Sequence, residues 1–119
     1  MPYVPRPKIL FKILFRRRDP VAAEALWLEG TWLHEHEKDD AGALMAFHHA
    51  RLLDPQFAGA HYNHAAMTEK LKGQGAETLK AWEDYLRAAE NDSRQARETV
   101  ERVRGHVEDL RRKKSKDGL

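Results

Sequence analysis

The feature that most limits what this chain can fold into is one pattern written twice, thirty-five residues apart, between Ala23 and Asp92. Gly30 recurs as Ala65, Trp27 as Tyr62, Ala43 as Thr78, Leu44 as Leu79 and Phe47 as Trp82, with no gap needed. Ala23, Ala25, Ala41 and Ala46 recur as Ala58, Ala60, Ala76 and Ala81. Small positions stay small, and bulky aromatic positions stay aromatic. A fixed period of this size, with room for two helices in each copy, predicts an all-α array of helix pairs. One pair cannot bury its own apolar face, so each copy has to stack on its neighbour. Gly30 and Ala65 then mark close helix approaches, and Phe47 and Trp82 fill the space beside them.

The first copy reads Leu26-x3-Gly30-x2-Leu33, then Ala43-x3-Phe47-x2-Ala50 and Asp54-Pro55. This resembles the tetratricopeptide repeat (TPR) family. The matching positions of the second copy are His61, Ala65, Thr68, Thr78, Trp82 and Tyr85, and it ends Glu90-Asn91-Asp92 without a proline. His61 and Thr68 stand where the family carries apolar residues. Both copies also hold one residue more than the usual repeat, which reads as a longer turn between the helices. The resemblance implies a short TPR-like helical-hairpin solenoid, with repeats at about 23–57 and 58–92.

Local signals divide the chain in the same way. Prolines 2, 5 and 7 predict an extended start, with no helix before Pro7. In a helix, Lys8, Lys12 and Arg16 form one basic stripe, and Ile9, Leu10, Phe11, Ile13, Leu14 and Phe15 cover the rest. Arg17 and Arg18 complete a basic amphipathic segment over 1–19. Asp19-Pro20 is a cap followed by a first-turn proline, predicting a helix from Pro20 to His36. Asp40 is the expected cap of a helix from Ala41 to Leu53, and Asp54-Pro55 of one ending near Leu71. Gly73-Gln74-Gly75 breaks the chain before a helix over about Ala76 to Glu90. Asn91-Asp92-Ser93 is the expected cap of a last helix, 93–110, whose Ala96, Val100, Val103, Val107 and Leu110 form one narrow apolar seam. Such a helix closes an array, although a two-stranded coiled coil could use the same seam. Residues 111–119 read as a charged, frayed tail.

Size and charge bound the function. At 119 residues the chain supports one modest core. Net charge is +2, but residues 1–19 carry +5, residues 20–110 carry −7 and residues 111–119 carry +4. The high pI therefore belongs to the ends and does not describe a basic nucleic-acid-binding body. No aromatic residue interleaves with the terminal Arg111–Lys116 run, so nucleic acid is not an expected partner. The absence of cysteine removes disulfides and thiolate metal sites. Apolar runs are too short to span a bilayer, and Lys12 with three following arginines argues against a secretory signal. The expected location is cytoplasmic, at most peripheral at the inner face of a membrane.

Candidate chemistry is sparse. His34 and His36 diverge on a helix, as do His48 and His49. His61 and His64 could share a ligand, as could His34 with Glu35 or Glu37, but no three- or four-ligand set appears at a known spacing. No phosphate loop and no nucleophile–base pair can be nominated. No enzyme activity, cofactor, metal or small-molecule substrate is expected.

Binding is easier to argue. The family resemblance implies that the first helix of each pair lines an inner groove. That places Trp27, Thr31, His34 and Glu35 there from the first copy, with Tyr62, Asn63, Ala66, Glu69 and Lys70 from the second. Trp27 and Tyr62 would stand side by side, either as groove anchors or simply as packing between helices. The set lacks the lysines and asparagines with which some family members clamp a peptide carboxylate, so capture of a chaperone tail is not expected. The segment Lys8 to Arg18 reads either as a docking helix for an anionic membrane surface or a partner subunit, or as a lid. In the lid reading Ile9, Leu10, Ile13 and Leu14 pack back on the open first end of the array. The expected function is non-catalytic protein–protein interaction, as an adaptor, assembly factor or accessory subunit. The alternative is a peripheral membrane-docking subunit.

Overall fold

A computed structural model describes residues 3–117 and contains, among them, six α-helices and no strand. They are α1 (Pro7–Leu14), α2 (Pro20–His36), α3 (Asp40–Leu53), α4 (Ala58–Lys72), α5 (Ala76–Ala89) and α6 (Arg97–Asp117). Helices pack in succession from α2 to α6, and α1 lies against α3. None of the helices is long and apolar enough to cross a membrane. Met1, Pro2, Gly118 and Leu119 lie outside the described residues, as do the parts of the extended-start and frayed-tail expectations that fall on them.

Caps fix where the helices begin. Asp19 Oδ1 accepts the Ala22 N–H at 3.0 Å while Pro20 occupies the first turn, so α2 starts where the sequence indicates. The Asp19 carboxylate also pairs with Lys12, and its N–H donates to the Leu53 carbonyl at 2.8 Å. The junction between α1 and α2 is thereby tied to the end of α3. Before α3 the cap is Asp39, not Asp40. Lys38 takes a left-handed backbone, φ 54, that reverses the chain, and Asp39, still non-helical, accepts the Gly42 N–H at 2.9 Å. Asp40 is already inside the helix.

Two other starts fall later than expected. Asp54 caps no helix; its Oδ1 accepts the Gln56 N–H and the Arg18 guanidinium, holding a turn that delays α4 to Ala58. Asp92 likewise accepts the Arg94 N–H and guanidinium, so the last helix begins at Arg97. That helix then continues to Asp117, past the expected end at 110. Arg111 reaches Glu83 at 2.7 Å and Lys113 reaches Gln74 at 3.1 Å, fastening the basic run to α5 and the turn before it. Gly73, at φ 83, makes the turn between α4 and α5, where a side chain would be strained.

Three apolar clusters make up the interior. Phe47 lies so close to Gly30 that a Cβ built there would stand 2.7 Å from its ring. Phe47 shares a core with Leu33, Ala43 and Met67. Trp82, its counterpart, is buried in one core with Ala65, Leu79, Tyr85 and the α6 seam residues Val103, Val107 and Leu110. Ala96, the first seam position, precedes α6 and is exposed. A third core joins Ile9 of α1 to Ala23, Leu26, Ala50, Leu53 and Ala60. The apolar part of these contacts supplies the main stabilisation of a chain this small.

Candidate interaction surface

Most of the inner-face residues nominated from the repeat are engaged within the chain. Trp27 Nε1 donates to Asn63 Oδ1 at 3.0 Å, and its ring packs against Phe57 at 5.9 Å between centroids. Tyr62 meets Trp82 and Tyr85 edge-on, and its hydroxyl accepts from Arg102 at 2.7 Å. The expected side-by-side pair of Trp27 and Tyr62 is therefore replaced by two separate aromatic groups. The physical reason is polar as much as steric: Asn63 draws the indole N–H, and α6 supplies a cation over the Tyr62 ring.

The far end of this face is a polar clasp. Lys70 Nζ and His34 Nδ1 both lie 2.6 Å from the Asp40 carboxylate, and these hydrogen bonds, that of Lys70 foremost, hold its pKa below the usual range. Glu69 accepts from Trp82 Nε1, His106 Nε2 and Gln74 Nε2, each at 2.8 Å. Burial pushes the Glu69 carboxyl upward, but these hydrogen bonds outweigh it and the net shift is downward. Thr31 donates to the Trp27 carbonyl at 3.0 Å, Ala66 packs at the edge of the Trp82 core, and Glu35 is exposed. Of the nine nominated residues, Glu35 and Lys70 are the exposed ones, and Lys70 is held in an ion pair.

The docking segment divides cleanly. Ile9 is buried and Ile13 half-buried, so that edge of α1 covers the first end of the array. Leu10 and Leu14, expected to pack inward in the lid reading, are exposed together with Phe11 and Phe15. Eight residues make barely two turns, so one helix face can be covered while the opposite one cannot. Phe11 and Phe15 pack in a tilted arrangement with ring centroids 4.5 Å apart, and Lys8, Arg16, Arg17 and Arg18 are exposed on the same segment. Lys12 is turned to Asp19 instead.

A second outward surface was not nominated from the sequence. Val21, Ala25, Leu28 and Trp32 follow a 4, 3, 4 spacing along α2, while its buried face uses Ala23, Leu26, Gly30 and Leu33. Val21 is 81 % exposed, and Leu28 and Trp32 are each 55 % exposed. Trp32 stacks on His36 with ring centroids 3.8 Å apart. An apolar groove of about 570 Å3, lined by Arg6, Pro7, Lys8, Ile9, Lys12, Ala22 and Ala25, flanks this stripe on the α1 side. Its signal was present in the sequence, because α2 is apolar on two faces and not on one.

A polar cleft of about 1050 Å3 gathers Arg16, Arg18, Arg51, Arg87 and Arg94 with Asp54, Asp84, Glu90 and Asp92. Arg18 binds Asp54, Arg51 and Arg87 flank Asp84, and Arg94 binds Asp92. Arg18–Asp54 ties the α1–α2 link to the turn before α4, Arg51–Asp84 ties α3 to α5, and Arg94–Asp92 stays within the turn before α6. Behind the cleft, desolvation lowers His48 to a pKa of about 4 and His64 to about 3, with Arg51 adding a smaller push. Both imidazoles are neutral at physiological pH. Among the described residues no three His, Asp or Glu side chains converge as a metal site would require.

No protein-family model, no curated protein and no solved structure matches this chain.

Proposed function

We propose that this chain is a non-catalytic, TPR-like interaction module that docks through its first two helices. The observation that carries this reading is where the exposed large apolar side chains lie. Of eleven among the described residues, eight fall between Val4 and Trp32, and only Met45, Leu52 and Leu71 lie elsewhere. Apolar surface gathered on one end of a small domain marks a site that another molecule covers. The succession of packed helices, with Phe47 over Gly30 and Trp82 in one core with Ala65, supports the repeat reading. The internal engagement of Tyr62, Glu69 and Lys70 shifts the docking surface away from the inner face. An adaptor, assembly factor or accessory subunit needs one such surface and a rigid body behind it.

Affinity capture with the wild-type chain and a Leu10→Glu, Leu14→Glu variant tests this. Both side chains are exposed, so the variant folds, and loss of specific partners is the expected result. An identical set of captured proteins would overturn docking through α1.

The basic rim of α1 favours a second reading, attachment to an anionic membrane surface. Leu10, Phe11, Leu14 and Phe15 would enter the headgroup boundary while Lys8, Arg16 and Arg17 meet phosphates. Flotation with phosphatidylserine–phosphatidylcholine vesicles, compared with phosphatidylcholine alone, checks it. Binding that ignores both the anionic lipid and an Arg16→Glu, Arg17→Glu change would remove the membrane reading.

A further inference from the structure

We propose that acid opens this chain at the joint between α3 and α4: protonation of the imidazoles buried there separates an α1–α3 unit from an α4–α6 unit, and each unit keeps its helices. The interior is already divided along that line. Every buried residue of the cluster around Trp82 comes from α4, α5 or α6. The other two clusters draw their buried residues from α1, α2 and α3, with Ala60 and Met67 of α4 as the exceptions. Polar ties add to these two across the joint: Trp27 to Asn63 at 3.0 Å, Asp40 to Lys70 at 2.6 Å and Arg51 to Asp84 at 3.7 Å.

The joint also holds His48 of α3 with its ring 5.4 Å from that of His64 of α4, and His61 is buried one turn before His64. None of the three takes a proton without loss. His48 Nδ1 accepts from Arg51 Nη2 at 2.9 Å, so an added proton would face a guanidinium. His61 Nε2 donates to the Pro55 carbonyl at 2.9 Å, which leaves Nδ1 to receive the proton. The Nδ1 atoms of His61 and His64 are buried and have no hydrogen-bond partner among the described residues. The charged groups that act on His48 and His64 are Arg51 and His49 of α3, His61 and Lys72 of α4, and Glu77 and Asp84 of α5. Both carboxylates are already paired, Glu77 with Lys72 and Asp84 with Arg51, Lys80 and Arg87. A new imidazolium therefore meets desolvation and cations with no free anion among these groups, and parting the two units returns it to water.

In the closed chain His48 titrates at about 4 and His64 at about 3, and once solvated each returns to about 6.5. Because the closed values are the lower ones, the closed form is favoured above pH 6.5 and loses ground as pH falls from there. At pH 5 each ring shifts the balance toward the open form by about 30-fold relative to pH 8, and the two together by roughly 1000-fold. Burial lowers His61 as well, which adds to the same effect. The opening is independent of what docks at α1.

Met67 reports the opening in the unaltered chain. It is 8 % exposed and packs with Leu33, Ala43 and Phe47 across the joint, whereas Met45 is 44 % exposed. Hydrogen peroxide gives one oxygen atom to a thioether and leaves as water, so Met45 should be oxidised at every pH. Met67 should be protected at pH 7.5 and oxidised at close to the Met45 rate at pH 4.5. Over the same range small-angle scattering should show a larger radius of gyration, while far-ultraviolet circular dichroism stays constant. Amide protection of α5 and the first turns of α6, corrected for the intrinsic rate, should persist. His48→Gln, whose side-chain oxygen still accepts from Arg51, combined with His64→Gln should move the Met67 transition to lower pH. His48→Gln alone, at a half-buried site, should move it part of the way. A Met67 that stays protected at pH 4.5, helix content lost in the same step as Met67 protection, or an unmoved transition in either variant would each overturn the proposal.

Discussion

Adding one methyl group to the chain at two different glycines should move its stability in opposite directions. At Gly30 the new Cβ of Gly30→Ala would sit 2.7, 2.9 and 3.0 Å from three ring carbons of Phe47. Carbon atoms in good contact lie about 3.5–4.0 Å apart, so ring and helix must separate by roughly 0.8 Å or more. Phe47 is 1 % exposed and has no free space to turn into. Overpacking of this kind costs about 1–3 kcal/mol, against which alanine regains about 1 kcal/mol of helix propensity. The net expectation is a loss of up to about 2 kcal/mol, and roughly 4 °C in Tm for each kcal/mol in a domain of this size. At Gly105 a Cβ would meet nothing within 4 Å. Gly105→Ala should therefore gain about 1 kcal/mol. Thermal and urea unfolding of both variants read the two signs. A Gly30→Ala, Phe47→Leu double variant should recover part of the loss, because the smaller side chain relieves the contact and the two changes are coupled. If Gly30→Ala raises Tm as Gly105→Ala does, the close approach of α2 and α3 through Phe47 is wrong.

The buried histidines make stability depend on acid. Their folded pKa values, about 4 for His48 and about 3 for His64, lie below the unfolded value near 6.5. As pH falls through 6.5 the unfolded chain takes up protons that the folded chain refuses, so stability drops until the folded values are reached. His64 is 8 % exposed and should cost about 2 kcal/mol at pH 5 relative to pH 8; urea midpoints across that range check it, and His64→Leu should flatten the slope. Asp19→Ala removes the cap of α2 and the partner of Lys12, with an expected loss of about 1 kcal/mol by Tm, whereas Asp19→Asn keeps the cap and should lose less. Val107→Ala opens the α5–α6 core and should cost about 1–3 kcal/mol, with the circular dichroism of the remaining helices unchanged.

The helices were legible because apolar period, proline position and glycine breaks act locally. Helix starts were less so, since an aspartate can either cap a helix or hold a turn. Asp19 caps, but Asp54 and Asp92 are held by Arg18 and Arg94 in turns. That choice depends on which guanidinium arrives in space. The last helix outran its expected end for a similar reason, because Glu83 and Gln74 lie far from Arg111 and Lys113 in sequence. The inner-face residues were placed on helices that do form, yet their hydrogen bonds to Asn63, Asp40 and Arg102 were invisible in one dimension. Val21, Leu28 and Trp32 stand exposed because α2 carries apolar residues on two faces, and composition along one helix does not say which face its neighbours will cover.

From α2 to α6 each helix packs on the next, so a local disturbance passes mainly between neighbouring helices. Amide exchange should accordingly form a gradient, slowest in α3, α4 and α5, which have partners on both sides, and fastest in α1 and in the last turns of α6. A molecule that seals the α2 flank would therefore lengthen the protected middle without touching it.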